Sequence, residues 1–529
     1  MISLEPLKLI GAVATFHDQS WYDGKIHFTA ERYPPRIKQN FRYGINGHEL
    51  WYEEVVRNFY NQYDVVALNV ARREDNYTYP EFRNIFEDVW RWRPKKLFDH
   101  WYYDDEGIFI ADHHQAHAVY AYLQSGFDEC DIFVSDGGAG MFTSLWSDPD
   151  QNITDLSPNF NFGSIWDLVG KQVLQSFRSS TQSELEGASA GKVMGLAAYG
   201  KLDDGLYNLI KRLMEDGITV GKGIHHEKYA KHEHDLETYI RENKVSDEDV
   251  AMSAQQALVD LTEKLIVKMK KSDNICLSGG VAYNGYMNEV FAKYYKNVFV
   301  PPAVGDEGQS LGMYMMADYV LNNNTHIPSV YAGVEHEIKE EIFSDMNYER
   351  MNMDDIYPLI AKEIANGAIV GWYQGRSESG NRALGNRSIL ADPRNPEIKN
   401  IINRDIKKRE DFRPFAPSVL IEDYQEYFDT NQPSPYMSRI MPVREEMKSV
   451  VPGIVHVDGT ARIQTVEKSF NEKYWKLINA FKEETGVPML LNTSFNCQEP
   501  IVETPQNAVD TFKRTGLHYL VIEDWVCKK

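Results

Sequence analysis

Ile108-Phe-Ile-Ala-Asp-His113-His114-Gln-Ala-His117-Ala-Val-Tyr-Ala-Tyr122 is the stretch whose reading decides the fold class. A short apolar run passes directly into a segment of helical character, the unit from which α/β sheets are assembled. At 3.6 residues per turn, His113 and His117 share one helical face, where two imidazoles can hold one metal ion. An i,i+4 histidine pair is also an ordinary surface or core feature, so its company decides. Cys130-Asp-Ile-Phe-Val-Ser135 is a second buried-strand pattern and ends in Asp136-Gly-Gly-Ala-Gly140. Val298-Phe-Val-Pro-Pro-Ala-Val-Gly305 leads into Asp306-Glu-Gly308. Each puts an Asp at the C-terminal end of an apolar strand beside glycines, where open α/β sheets hold their ligands. Two His and two Asp form a mixed nitrogen and oxygen set suited to iron, manganese or zinc.

The 529 residues exceed what one core can hold, and length alone suggests roughly three or four domain-sized units. With 43% hydrophobic and 25% charged residues, the composition is that of an ordinary soluble globular protein. A formal charge of -22 opposes wholesale wrapping of nucleic acid. Cys130, Cys276, Cys497 and Cys527 show no C-x-x-C spacing and read as reduced thiols of a cytoplasmic protein. Met1 to Phe16 lacks the shape of a cleavable signal, and no apolar run approaches the ~20 residues of a membrane span.

From the start, Lys8 to Phe16 reads as a strand, Asp23-Gly24 as a hairpin turn and Lys25 to Ala30 as the returning partner. His17-Asp18 ends the first strand; a carboxylate beside an imidazole can make a general base, or the pair can cap a turn. From Glu31 to Trp101, arginines and lysines alternate with aromatic residues, as in Arg91-Trp-Arg-Pro-Lys-Lys96. That pattern suits either a core with a solvated rim or a surface that stacks on bases and tracks phosphates. Gly191-Lys192 lacks the G-x-x-x-x-G-K-[ST] spacing, which excludes a Walker ATPase. Val245 to Lys271 reads as a long helix, followed by the strand Asn274-Ile-Cys-Leu277 and then Ser278-Gly-Gly-Val-Ala-Tyr-Asn284, which opens another helix. Strand, glycine pair and helix N-terminus can cradle a nucleotide phosphate, although Gly-Gly after a strand is also a plain turn. A polar stretch, Asn322-Asn-Asn-Thr-His-Ile-Pro328, places a domain boundary between about Leu321 and Met346. No internal repeat is visible.

The densest chemistry follows. Gly375-Arg-Ser-Glu-Ser-Gly-Asn-Arg382-Ala-Leu-Gly-Asn-Arg387 is succeeded by Lys407, Arg409 and Arg413, and a late strand delivers Asn492-Thr-Ser494-Phe-Asn496. Guanidinium forks spaced by Gly, Asn and Ser suit a small dianion.

Together these motifs resemble the O-carbamoyltransferase family, whose members tailor nodulation factors and several antibiotics. The resemblance covers most of the chain and rests on His17-Asp18, His113-His114-x-x-His117, Asp136-Gly-Gly, Gly191-Lys192-Val-Met-Gly-Leu-Ala, Ser278 to Asn284, Gly305-Asp306-Glu-Gly308, Gly375 to Ser418 and Asn492 to Asn496. It implies an α/β protein with an actin-like domain over residues 1–330, similar to the threonylcarbamoyl transferase that modifies tRNA. A YrdC-like domain is implied over 345–529. It further implies that the second domain makes carbamoyl-adenylate from carbamoyl phosphate and ATP with Mg2+, and that the first passes the carbamoyl group to an acceptor hydroxyl. On this basis His113, His117, Asp136 and Asp306 would bind Fe(II). Lys192, Gly279, Gly280 and Asn284 would hold the adenylate, with His17 as base beside Asp18. Arg382, Arg387, Lys407, Arg409, Arg413, Ser494 and Asn496 would surround carbamoyl phosphate.

Two stretches depart from the family: Gln19-Ser20-Trp21-Tyr22 and the basic-aromatic segment Glu31 to Trp101. Both are expected to shape the acceptor pocket, which leaves open a natural-product sugar or a hydroxymethylated pyrimidine in a nucleotide or in DNA. A small-molecule kinase of the actin-like superfamily, or a non-catalytic metal-dependent nucleotide sensor, are the competing readings.

Overall fold

The computed structural model describes residues 6–14, 19–29, 62–70, 97–98, 101–103, 107–136, 143–147, 152–156, 160–173, 189–216 and 224–529. His17-Asp18, the whole of 31–61 and most of 71–100 lie outside them. Contacts divide the chain into two units, Met1–Ser329 and Val330–Lys529.

In the first unit, β1 (Leu9–Ala14), β2 (Gln19–Tyr22), β3 (His27–Thr29), β4 (Val65–Val70), β5 (Trp101–Tyr103) and β6 (Ile108–Asp112) form one sheet in the order β3-β2-β1-β4-β6-β5. The Asp23-Gly24 turn joins β2 to β3, and Gly24 takes φ 92° there. Trp21 and Tyr22 are therefore strand residues, one strand more than the sequence reading allowed. β7 (Asp131–Ser135), β8 (Thr143–Ser147), β9 (Asn152–Asp155), β10 (Asn274–Ser278) and β11 (Asn297–Phe299) form a second sheet, ordered β11-β10-β7-β8-β9. The two sheets share one plan. In each, the first three strands are an antiparallel meander and two further strands add in parallel beside the first. No repeat of residues announces this duplication.

The inner parallel strands β6 and β7 are buried on both faces, so they read as continuous runs: Ile108 to Ala111 and Asp131 to Ser135 are buried throughout. Asp112 stops β6 and caps α1 (His113–Ser125), accepting from the amides of His114 and Gln115; Gly126 ends it in the left-handed region. Four more helices matter here: α2 (Ser189–Leu196), α3 (Asp247–Met269), α4 (Gly285–Tyr294) and α5 (Gln309–Asn322). α5 packs against both α1 and β1. It comes so close that a Cβ on Gly312 would sit 2.1 Å from the Ala116 carbonyl, and one on Gly11 2.0 Å from the Ser310 carbonyl. These glycines are the price of bringing α1 and its histidines onto the sheet edge.

The second unit starts at Val330, whose carbonyl accepts from Ser379 N–H, while Gly333 N–H donates to Ser377. β12 (Asn347–Arg350), β13 (Val370–Tyr373), β14 (Arg387–Ala391), β15 (Ala416–Leu420), β16 (Ile440–Pro442), β17 (Thr460–Arg462), β18 (Gln464–Val466), β19 (Met489–Ser494), β20 (Tyr519–Ile522) and β21 (Trp525–Lys528) follow. Eight of them make a mixed sheet, β12-β21-β20-β13-β14-β19-β15-β18, and β16 pairs with β17. α6 (Met353–Ala365), α7 (Glu472–Thr485) and α8 (Pro505–Arg514) cover it over a core that includes Trp372, Ile389, Leu490 and Phe481. Among the described residues, no helix is long and apolar enough to cross a membrane.

Candidate functional site

The strand order of the first unit gathers four chain-distant side chains. His113 and His117 come from the first turns of α1, Asp136 follows β7, and Asp306 opens the turn before α5. Their ligand atoms all lie within 4.8 Å of one another. His113 Nε2 is 2.8 Å from Asp136 Oδ2 and 3.3 Å from Asp306 Oδ1, and His117 Nε2 is 3.5 and 3.4 Å from the same two oxygens. Ligands about 2.1 Å from a tetrahedral ion stand roughly 3.4 Å apart, so three of these four edges already have that length. His117 Nε2 is buried with no hydrogen-bond partner among the described residues. The donor set and this orphaned nitrogen fit a divalent ion.

The electrostatics agree. Burial opposes a charge on His113, yet Asp306 and the hydrogen bonds to both carboxylates outweigh it and hold the imidazole well above its ordinary range. His117 is raised by the nearness of the same two carboxylates, again against its burial. Against their own burial, Asp136 is held well below the usual carboxylate range by the two histidines beside it, and Asp306 is lowered chiefly by His113. A cluster that stabilises added positive charge this strongly is poised for a cation. His114, between them, behaves oppositely: burial pushes it down to about 3, so it remains a neutral core residue.

The glycine turn after β10 belongs to the same centre. Gly280 N–H donates to Asp136 Oδ1 at 2.8 Å, leaving Oδ2 to face the histidines. Gly279 has φ 86°, and a Cβ there would lie 2.3 Å from the Ser135 carbonyl. The turn runs into a short 3-10 segment, Gly280–Tyr283, rather than directly into an α-helix as the sequence suggested. Asn284 caps α4 through Met287 N–H and exchanges amide hydrogen bonds with Gln255. Its side chain is thus engaged in holding the turn. Lys192 stands half-buried on α2. Trp21 stacks on Phe28, ring centroids 5.4 Å apart, whereas Ser20 and His27, one strand position away, reach Glu307. Period-2 alternation therefore turns Trp21 away from the face that meets Glu307.

In the second unit the arginines divide by role. Arg387 is fully buried over the Tyr373 ring and donates to the carbonyls of Gln374, Gly375 and Asn386. It braces the Gly375 loop through its two terminal nitrogens. Arg409, Arg413, Arg382 and a residue the sequence reading missed, Arg462 on β17, form a cluster in which Arg462 is depressed well below the usual range by burial and then by the other three. Burial and Arg413 likewise depress Arg409. Burial lowers Arg413 too, and Glu410 stands 3.9 Å from it. Arg462 Nε is buried without a hydrogen-bond partner among the described residues. Guanidiniums crowded like this call for an anion. The only sequence signal for Arg462 was a single cation in the otherwise buried run Ala461 to Val466.

Lys407 ends a π-helical turn, Ile402–Lys407, closed by Lys408 in the left-handed region. Its ammonium is buried and donates to Asn496 Oδ1 at 2.6 Å and Ser494 Oγ at 3.1 Å, bringing these three expected residues together.

The model of the carbamoyltransferase N-terminus matches residues 17–315, and that of the carbamoyltransferase C-terminus residues 361–529. Nodulation protein NolNO of Sinorhizobium fredii is 36% identical over 80% of this chain, and the match spans 65% of that protein's length. Nodulation protein NolO of Bradyrhizobium diazoefficiens is 35% identical, with 79% of each chain covered. The 3'-hydroxymethylcephem-O-carbamoyltransferase of Amycolatopsis lactamdurans is 30% identical over 63% of this chain and 64% of that one.

Proposed function

Since this chain belongs to the carbamoyltransferase family, we propose that it is an ATP-dependent O-carbamoyltransferase acting in the cytoplasm in two steps. In the first, carbamoyl phosphate loses its phosphate to water, and the resulting carbamate oxygen displaces pyrophosphate from the α-phosphorus of MgATP to give carbamoyl-adenylate. In the second, an acceptor hydroxyl takes the carbamoyl group and AMP leaves. The observation that carries the first step is the like-charged arginine cluster with Arg462 at its centre. Arg382, Arg409, Arg413 and Arg462 neutralise the phosphate oxygens and Lys407 with Ser494 and Asn496 closes one wall, while Arg387 holds the Gly375 loop as a fixed edge. The second domain is proposed to be YrdC-like.

The second step is assigned to the first unit. Gly279, Gly280 and Lys192 take the adenylate, Asn284 holding their turn, and His17, with Asp18 next to it in the sequence, is the base proposed to remove the acceptor proton. His113, His117, Asp136 and Asp306 would hold a divalent ion, proposed as Fe(II), which would supply Lewis acidity to this step. The acceptor is a hydroxyl on a natural-product sugar or on a hydroxymethylated pyrimidine. Absence of any affinity for hydroxymethyl-pyrimidine DNA at low salt would remove the second option.

Pyrophosphate release from ATP without acceptor, with and without carbamoyl phosphate, tests the reading. Carbamoyl-phosphate-dependent release in the wild type that vanishes in Arg462→Ala is expected. ADP formation would instead establish the kinase, and no nucleotide turnover with or without an acceptor hydroxyl would favour the sensor.

A further inference from the structure

Glu307 follows the metal-set residue Asp306 and is buried, yet the steps above leave it without work. Its carboxylate accepts a hydrogen bond from Tyr283, in the turn that carries Gly279 and Gly280. Its main-chain carbonyl accepts two more, from Ser20 Oγ at 3.0 Å and His27 Nε2 at 2.8 Å, both buried and both from the antiparallel half of the first sheet. Ser20 Oγ also lies 2.8 Å from Ser310 Oγ at the start of α5. Gly305, on the other side of Asp306, leaves room for this arrangement: a Cβ there would stand 2.5 Å from Glu307 Oε2 and 3.1 Å from Tyr283 Cε2.

One residue thus meets the glycine turn through its side chain, β2 and β3 through its carbonyl, and Asp306 through the peptide bond. A carboxylate ligand on a short 3-10 turn has few local constraints, since only one turn of backbone hydrogen bonding fixes it. We infer that Glu307 is a positioning residue for Asp306, with Tyr283 as its side-chain partner, and that this joint sets the affinity of the His113, His117, Asp136 and Asp306 centre for its ion. Removing the Tyr283 hydroxyl takes away the hydrogen bond that ties the Glu307 carboxylate to the glycine turn, and with it one constraint on the direction of the adjoining Asp306 oxygen. Outer groups of this kind are typically worth about 10- to 100-fold in metal affinity.

The inference rests on reading the four residues as a metal centre, and titration of the full-length metal-free protein with Co(II), followed by its visible absorption, tests both. Wild type is expected to bind and His117→Ala to fail. Tyr283→Phe and Glu307→Leu are expected to bind about 10-fold and about 10- to 100-fold more weakly, with far-UV circular dichroism and melting near wild type. Glu307→Gln, which keeps an acceptor for the Tyr283 hydroxyl, is expected to remain within about threefold of wild type. Equal binding by wild type and His117→Ala overturns the metal reading and this inference with it. Wild-type affinity in Tyr283→Phe and Glu307→Leu overturns the inference alone. Loss in Glu307→Gln equal to that in Glu307→Leu also overturns it, because the carboxylate charge would then be acting directly on the ion.

Discussion

His113 and Arg462 are both withdrawn from water, and the forces on them point in opposite directions. Around His113 two carboxylates more than offset the cost of burial, so the imidazole is raised and the centre accepts positive charge. Around Arg462 three more guanidiniums add to that cost, so the group is lowered and the centre accepts negative charge. The first region is assembled and nearly compensated before any ligand arrives. The second is held in tension by the fold around it. A folded chain can keep such a cluster only if the rest of the unit supplies the stability.

The largest effect that can break this contrast is on the first region. His117→Ala should abolish metal binding and reduce carbamoyl transfer by about three orders of magnitude, the loss of a Lewis acid worth several kcal/mol. Carbamoyl-phosphate-dependent pyrophosphate release should persist in it; parallel loss of both activities would mean that the two regions do not act separately. Next, Arg462→Met should lower pyrophosphate release about 100-fold or more. The same variant should unfold at higher urea in the absence of ligand, by roughly 1 to 4 kcal/mol, because it removes one of four like charges. A less stable variant would show that the cluster is compensated after all. Smaller still, inorganic phosphate at about 100 times its Kd should stabilise the wild type by about 2.7 kcal/mol, read as a rise in melting temperature of the second unit, and Arg462→Met should not respond.

The finest test is pH. The raised values of His113 and His117 contribute stability that is fully present below their unfolded values near 6.5 and is lost as pH rises through the folded ones. The lowered values of Asp136 and Asp306 contribute stability present above about 3.8 and lost as pH falls through the folded ones. With chelator present, urea unfolding of the first unit should therefore weaken on the alkaline side, and added Co(II) should remove that decline. A profile identical in His117→Ala would sink the assignment.

How much of this was legible follows the physics of each residue. The α/β class, His113 with His117, and Asp136 at the end of β7 could be read because helix period and strand ends are local properties of sequence; Asp306 was read as a strand end too, but β11 stops at Phe299 and Asp306 opens a 3-10 turn beyond a loop. The duplication of the first unit could not, since it lives in backbone hydrogen bonding between strands whose side chains differ. Arginine density located the second region, but which guanidiniums turn inward depends on the Gly375 loop, where φ is 46°. Arg387 therefore went to the loop and the isolated Arg462 to the cluster. His17-Asp18 and the basic-aromatic segment fall outside the described residues, and their roles stand as proposals.

The π-helical turn Ile402–Lys407 has a consequence for how such a site can be altered. A π-turn is an α-helix carrying one extra residue, and one residue is worth about 100° of rotation. Deleting a single residue from that turn would keep every expected side chain in the chain and swing Lys407 away from Ser494 and Asn496. At this wall of the site, specificity is encoded in chain length as well as in residue identity, so a search that compares residues alone would overlook the change that disables it.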